Sequence, residues 1–312
     1  MGKRVLVVSS ANMDITLPVA RFPAPGETAI LGGGVSYTPG GKGANSAVAF
    51  AKLGAETVFC TRLGRDSHGE TLYDYYKECG IDTRHIAIDR DRATGCAVIL
   101  VEPSGQNRIL CYPGANRYLS ESDVDEAFLS CPDALYLQLE IGEATVLAAA
   151  DYAYRHEIPI FIDAGPARAD FPLESLPPVT VFSPNEVETE VYTGIHLTGS
   201  DSMLAASMEL FSRVRAEYIV LKLGDRGAFV CNGRHFKFLS AFPVSAVDTT
   251  AAGDAFTAAL TLRYLENGGD IVGAVRYGCA AGALTATRAG AAYAVPTAKE
   301  VAEFLEQQGE SV

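Results

Sequence analysis

The chain has 312 residues, 48% apolar and 20% charged, which excludes wholesale disorder and suffices to bury the core of one large α/β domain. Its 25 Lys and Arg against 38 Asp and Glu give a formal net charge of −13. That balance excludes nucleic acid and anionic membrane as partners, because phosphate backbones need clustered cations. A nucleotide is not excluded, since it needs only a local set of donors.

The seven cysteines, at 60, 79, 96, 111, 131, 231 and 279, are odd in number, scattered, and form no CxxC. They predict neither a disulfide framework nor a zinc site, and fit a reducing cytoplasm. The five histidines show no ligand spacing. The apolar run of MGKRVLVVSS is too short for a signal peptide and reads as a strand. The uncharged segment Tyr277 to Thr287 falls well short of the ~20 residues a membrane helix needs.

In chain order, Val5 to Val8 is a β-branched run that predicts a buried first strand, followed by Asn12 and Asp14 at its carboxyl end. In open parallel sheets ligands bind outside the carboxyl ends of strands, so both are site candidates; an Asn/Asp turn accounts for them equally well in isolation. Residues 15–38 are rich in Pro and Gly without helical period and read as an irregular β excursion. Gly40-Gly41-Lys42-Gly43-Ala44-Asn45 runs into a helical pattern carried by Ala47, Val48, Ala51 and Leu53, with Gly54 as the stop. Gly43 stands where a Walker A loop needs Ser or Thr, and there is no GxGxxG, so the run predicts a backbone-lined pocket for a polyhydroxylated ligand.

Strand and helix patterns then alternate. Thr57 to Cys60 reads as a strand and Gly69 to Cys79 as a helix. Thr94 to Val101 and Arg108 to Tyr112 form a hairpin across Pro103-Ser104-Gly105-Gln106, a second excursion expected to pair with 15–38 as a small lid sheet. Ser122 with Asp125 predicts a capping box. Ala134 to Leu139 reads as a strand ending at Glu140, then a helix from Glu143 to His156. Pro159 to Ile162 reads as a strand ending in Asp163-Ala-Gly-Pro166, and Val179 to Phe182 as one ending in Ser183-Pro-Asn-Glu-Val-Glu188. A helix over Ser202 to Arg215, a strand at Tyr218 to Leu221, Gly224-Asp-Arg-Gly227, and a hairpin about Asn232-Gly233, a type I′ signal, follow. Helices after Asp254, over Ile271 to Arg288, and over Ala298 to Gln307 complete the pattern. This alternation predicts a doubly wound, mainly parallel sheet covered on both faces, with a small β lid, as a single domain over 1–312.

The stretch AVDTTAAGDAFTAA, 246–259, is a loop turning into a helix, with Ala251, Ala252 and Gly253 ahead of Asp254. A helix start offers unpaired N–H groups and the positive end of the macrodipole. Donors beside an ionised carboxylate suit phosphoryl transfer: they hold the moving oxygens while Asp254 takes the proton of the attacking hydroxyl. Taken alone, Gly-Asp here is also an ordinary cap. Asn12, Asp14, Glu140, Asn185 and Asp254 all follow a strand or open a helix, which a doubly wound sheet brings to one edge.

GGKGAN at 40–45, NEVE at 185–188 and DTTAAGD at 248–254 together make the whole chain resemble the ribokinase-like (PfkB-type) family of ATP-dependent carbohydrate kinases. The resemblance implies Asp254 as base for a primary sugar hydroxyl and the N–H groups of Ala251, Ala252 and Gly253 as the anion hole. It implies Asn12, Asp14, Gly41, Lys42, Asn45 and Glu140 as sugar contacts of the kind that hold ribose, and Asn185 and Glu188 as organisers of Mg²⁺ and water at the ATP phosphates. Lys222, Gly224, Asp225, Arg226 and Gly227 match the nucleotide loop; Lys222 replaces a frequent Thr and either reaches ATP phosphate or is a surface residue, and Cys279 lies where many members have His or Asn near the adenine. A monovalent cation, usually K⁺, is implied at the Asp248 carboxylate and carbonyls near Thr250, Thr285, Arg288 and Gly290, with Ala294 lacking the hydroxyl that often completes the shell. The resemblance further implies a homodimer through the lid. Another sugar or nucleoside kinase, and a non-catalytic sugar or nucleotide sensor, remain the alternatives.

Overall fold

In the computed structural model, which describes residues 2–104 and 106–310, the chain builds two sheets. Strand β1 (Arg4–Val8) leads through Ser9 to Ala11 directly into β2 (Asn12–Pro18), and β3 (Ser36–Gly40) returns to helix α1 (Lys42–Lys52). Then come β4 (Glu56–Gly64), α2 (Ser67–Glu78), β5 (Ile86–Asp89), and the hairpin β6 (Gly95–Val101) and β7 (Asn107–Tyr112). The next units are α3 (Glu121–Phe128), β8 (Ala134–Gln138), α4 (Glu143–Arg155), β9 (Ile160–Asp163), β10 (Val179–Ser183), α5 (Glu186–Thr193) and α6 (Ser200–Arg213). Strands β11 (Ala216–Lys222), β12 (Gly227–Cys231) and β13 (Phe236–Ser240) precede α7 (Ala252–Glu266), α8 (Ile271–Ala286) and α9 (Ala298–Gln307).

The large sheet has the order β13-β12-β11-β10-β9-β8-β1-β4-β5, parallel from β11 to β5, with β12 and β13 antiparallel at one edge. Its strands alternate sides between two cores. Val5, Val7, Phe59, Tyr136, Phe161 and Val220 pack under α1, α2, α7, α8 and α9. Leu6, Val8, Val58, Leu135, Leu137 and Ile162 pack on the other face under α3, α4 and α6. Connections diverge to opposite sides from β1 and β8, so the crevice outside their carboxyl ends is the switch point where such sheets bind ligands. The small sheet, β3-β2-β6-β7, joins the two predicted excursions.

Several local expectations need correction. Asn12 and Asp14 lie inside β2, not in a turn after β1. Helix α1 begins at Lys42, within the glycine run; Gly41 at φ 88° caps it, and a Cβ there would lie 2.8 Å from the Asn12 nitrogen. Helix α3 is capped by Ser120 and Asp123, not by Ser122 and Asp125. Both pairs have the same spacing, but Ser120 is flanked by buried Leu119 and Val124, the hydrophobic pair that fixes the entry of the chain. Asn232-Gly233 is not a two-residue I′ turn: residues 232–235 form the connection, and Asn232 Oδ1 accepts from the N–H groups of Arg234 and His235 at 3.1 and 2.8 Å. Strand β5 and helix α5 are additions to the expected elements. Gly105 of the expected hairpin turn lies outside the described residues.

Candidate active site

The site forms where α7 starts against the carboxyl ends of β8, β9 and β11. Ala251 takes the left-handed conformation at φ 63°, turning the chain into α7. The Ala252 N–H is bonded to Thr249 O at 3.2 Å, whereas those of Ala251, Gly253 and Asp254 have no acceptor among the described residues. Of the three donors expected at 251–253, Ala251 and Gly253 are free among the described residues and Ala252 is engaged, while Asp254 adds a further free N–H at the head of the helix. Helix α7 packs closely on α8 here: a Cβ on Gly282 would stand 3.1 Å from Ala252 O.

Asp254 is buried, 4% exposed. Asn45 Nδ2 donates to its Oδ2 at 2.8 Å, and Gln138 Nε2 to its Oδ1 at 3.4 Å; Lys42 Nζ stands 3.9 Å from Oδ1. Burial pushes the Asp254 carboxyl up to about 6, opposed chiefly by Lys42. The same attraction holds the Lys42 ammonium above its ordinary range, against the cost of its own burial. Behind Gln138, Ser9 Oγ donates to Gln138 Oε1 at 2.9 Å, which fixes which end of the amide faces Asp254. This carboxylate can accept a proton near neutral pH and is held in one orientation, as general base catalysis requires.

Across the crevice stand the expected sugar contacts. Glu140 Oε2 accepts from the Lys42 N–H at 3.0 Å and from Ser10 Oγ. Asn12 Oδ1 accepts from Asn116 Nδ2 at 2.8 Å, and Asn116 is itself locked to the Ala11 backbone through N–H and C=O bonds of 2.9 and 3.0 Å. Asn12 Nδ2 has no acceptor among the described residues. Burial, then Glu140 and Asp254, push the Asp14 carboxyl up to about 7. Asn45 Oδ1 is buried without a partner among the described residues.

On the other side, Asn185 and Glu188 form the capping box of α5: Asn185 Oδ1 accepts from the Glu188 N–H and Glu188 Oε2 from the Asn185 N–H, both at 2.8 Å. Glu188 is buried, which raises its carboxyl against the pull of Lys222. Its Oε1 faces Gly165, where a Cβ would come within 2.4 Å. Both residues therefore have structural work in α5, and Glu188 keeps one oxygen for the cleft. Lys222 Nζ pairs with Asp163 Oδ2 at 2.6 Å. In the nucleotide loop, Arg226 is paired with Glu186 and donates to Leu197 O at 3.2 Å, so its guanidinium is engaged. Gly224, Asp225 and Gly227 shape the turn from β11 into β12. Cys279 lies within α8 in the apolar core, its thiol pushed up to about 12 by burial.

Of the residues expected at a monovalent cation, Asp248, Thr250 and Gly290 meet. Asp248 accepts from the Thr250 N–H at 2.9 Å and the Gly290 N–H at 3.3 Å, bonds that overcome burial and hold its carboxyl below its ordinary value. Thr285 O accepts from the Arg288 N–H at 3.2 Å, and the Arg288 guanidinium pairs with Glu300 at 2.7 Å. Ala294 is buried in the following turn.

Sequence reading missed Asp163, Gln138, Thr257 and Asn116. Asp163 carried the signal used elsewhere, an acid at the carboxyl end of a strand. Gln138 is its neighbour in register across β8 and β9, and a polar side chain ending an apolar strand was the available cue.

The profile described as pfkB family carbohydrate kinase matches residues 3–298. The chain is 37% identical over 308 residues to a ribokinase of Haemophilus influenzae, covering 98% of this chain and 99% of that one. It is 30% identical over 303 residues to a deoxyribokinase of Salmonella typhi, covering 96% and 98%. The structure of Arabidopsis thaliana ribokinase complexed with ribose and ATP superposes with a TM-score of 0.88 at 29% identity, covering 98% and 99%.

Proposed function

The chain belongs to the pfkB family of carbohydrate kinases, and from that premise we propose that it transfers the γ-phosphoryl group of ATP to the 5-hydroxyl of D-ribose. The observation that carries this reading is a single carboxylate, Asp254, held by Asn45 and Gln138 beside free N–H groups at a helix start, with Asp14 and Glu140 close enough to act on one another's charge. The 5-hydroxyl gives its proton to Asp254 as its oxygen bonds the γ-phosphorus. The bond from that phosphorus to the bridging oxygen breaks, and ADP leaves. The Gly253 and Asp254 N–H groups, aided by Ala251, take the charge spread over the equatorial oxygens. Lys42, between Asp254 and the crevice, offsets charge on the same group. Asn12 Nδ2, Asn45 Oδ1, Asp14, Glu140 and the Gly41 backbone hold the sugar hydroxyls.

Mg²⁺ would arrive with ATP, held through water by Asn185 and the free oxygen of Glu188, and would neutralise charge between the phosphates. K⁺ would sit at Asp248 with carbonyls around Thr250, Thr285, Arg288 and Gly290, fixing the loop before α7; Ala294 supplies no hydroxyl to it. Gly224, Asp225 and Gly227 line the approach to the nucleotide, Cys279 backs it from within the apolar core, and Arg226 acts by holding that turn to α5. The small sheet serves as a lid, and a second copy of the chain docks on it, where Tyr37, Ile109, Leu110 and Tyr112 are exposed. Free cysteines throughout fit a reducing cytoplasm.

The test is ADP release from Mg-ATP over a panel of ribose, 2-deoxyribose, fructose and nucleosides. The highest kcat/KM is expected with ribose. Release that no sugar stimulates would contradict the reading.

A further inference from the structure

Lys222 ends β11, and its side chain is only 11% exposed. Withdrawing an ammonium from water is unfavourable unless a partner offsets the cost. Asp163, 1% exposed, supplies the pair at 2.6 Å. Asp163 is in turn fixed: its Oδ2 accepts from Thr257 Oγ1 at 2.9 Å, and its Oδ1 from the Gly165 N–H at 3.3 Å. An ammonium has three donors in total. One goes to Asp163 and a second points at Thr257 Oγ1, 3.4 Å away. The third has no acceptor among the described residues.

That third donor lies at the start of α7. A Cβ built on Gly253 would stand 3.9 Å from Lys222 Nζ, and Gly253 is one of the residues whose N–H is unpaired. An anion accepting from Gly253 comes within reach of Nζ. Resting on the phosphotransfer reading above, we propose that Lys222 is a catalytic residue that contacts the transferring phosphoryl group, with Asp163 as its positioning residue. A fixed point charge there stabilises the equatorial oxygens without reorganisation as γ-phosphorus leaves the bridging oxygen for the sugar oxygen. The competing account gives Lys222 no task beyond neutralising Asp163.

Two measurements separate these accounts. Titration calorimetry with Mg²⁺ compares ADP and the non-hydrolysable analogue adenylyl imidodiphosphate on the wild type and Lys222→Met. The analogue is expected to lose about tenfold in affinity, and ADP less than about twofold, since only the analogue carries the terminal group. Steady-state assays are expected to show kcat down about 10²-fold in Lys222→Met with ribose KM little changed, and Lys222→Arg recovering part of the loss. The double variant Asp163→Asn/Lys222→Met removes both buried charges, and should fold even where the single variant does not. It is expected to stay as slow as the single. Return of the double variant to wild-type kcat, or equal loss of ADP and analogue binding, overturns the assignment. Should the wild type turn over no sugar while Lys222→Met still loses the analogue selectively, the phosphoryl contact stands and the phosphotransfer reading fails.

Discussion

The two sheets treat their side chains oppositely. In the large sheet, β8, β9 and β12 are buried at every residue, and the acids and amides at their ends have no room to turn. In the small sheet, β7 is exposed at all six positions. Burial in β2 fades from Asn12 and Met13 at its root to exposed Pro18 at its tip. The root emerges from the switch point of the large sheet, so Asn12 shares the rigidity of β1, while the outer part of the small sheet is free to close or to meet another surface. The packed layer fixes the candidate chemistry, and the proposed lid is drawn from the solvated layer; that is the contrast between the two sheets.

The largest effect should come from the packed side. Asp254→Asn is expected to lower kcat by ~10²–10⁴, with sugar affinity from calorimetry little changed. Near-wild-type turnover would remove the proposed base. Protonation should act in the same direction: a carboxyl raised to about 6 accepts no proton once it is itself protonated. The kcat/KM profile should therefore fall about tenfold per unit as pH drops below about 6. Stability should run the other way. Asp14, Asp254 and Glu188 hold protons in the folded state at pH values where the unfolded chain has lost them. The ligand-free protein should gain thermal stability as pH falls from 7 to 5, and a Tm falling over that window would contradict the raised values.

At the junction of the two sheets, Asp14→Asn replaces a carboxylate acceptor for a sugar hydroxyl and is expected to raise ribose KM by about 10–100-fold, the worth of one charged hydrogen bond, with kcat less affected. An unchanged KM would place the sugar elsewhere. Replacing K⁺ by Li⁺ is expected to slow turnover several-fold; identical rates would reject the site at Asp248. The smallest effect belongs to the solvated side. Leu110→Lys should abolish the proposed dimer in light scattering while Tm moves little, because an exposed position adds little to folding, and a wild type that is already monomeric would reject the interface.

The contrast also explains what could be read in the sequence. Asp254, Lys42, Asn45 and Glu140 were legible because each stands where an apolar period breaks at a strand or helix end. The large sheet was legible for the same reason. Asp163 and Gln138 acquire their tasks only when β8 and β9 lie side by side in register. Asn116 acquires its task from Ala11, more than a hundred positions away in the chain. Helix α5 was missed because its eight residues are a β-branched, acidic run whose start is set by the reciprocal Asn185 and Glu188 bonds. Nor could the pattern show that Thr249 O would take the Ala252 N–H and leave Gly253 and Asp254 as donors.

The central claim, that Asp254 deprotonates a primary sugar hydroxyl lying against Asn12, Asp14 and Glu140, is tested most directly by proton-coupled phosphorus NMR of the product made from ribose and Mg-ATP. Transfer to the 5-hydroxyl predicts a phosphate ester signal split into a triplet by two methylene protons. A doublet, showing phosphorus on a carbon that bears one proton, or no ester at all, would contradict it.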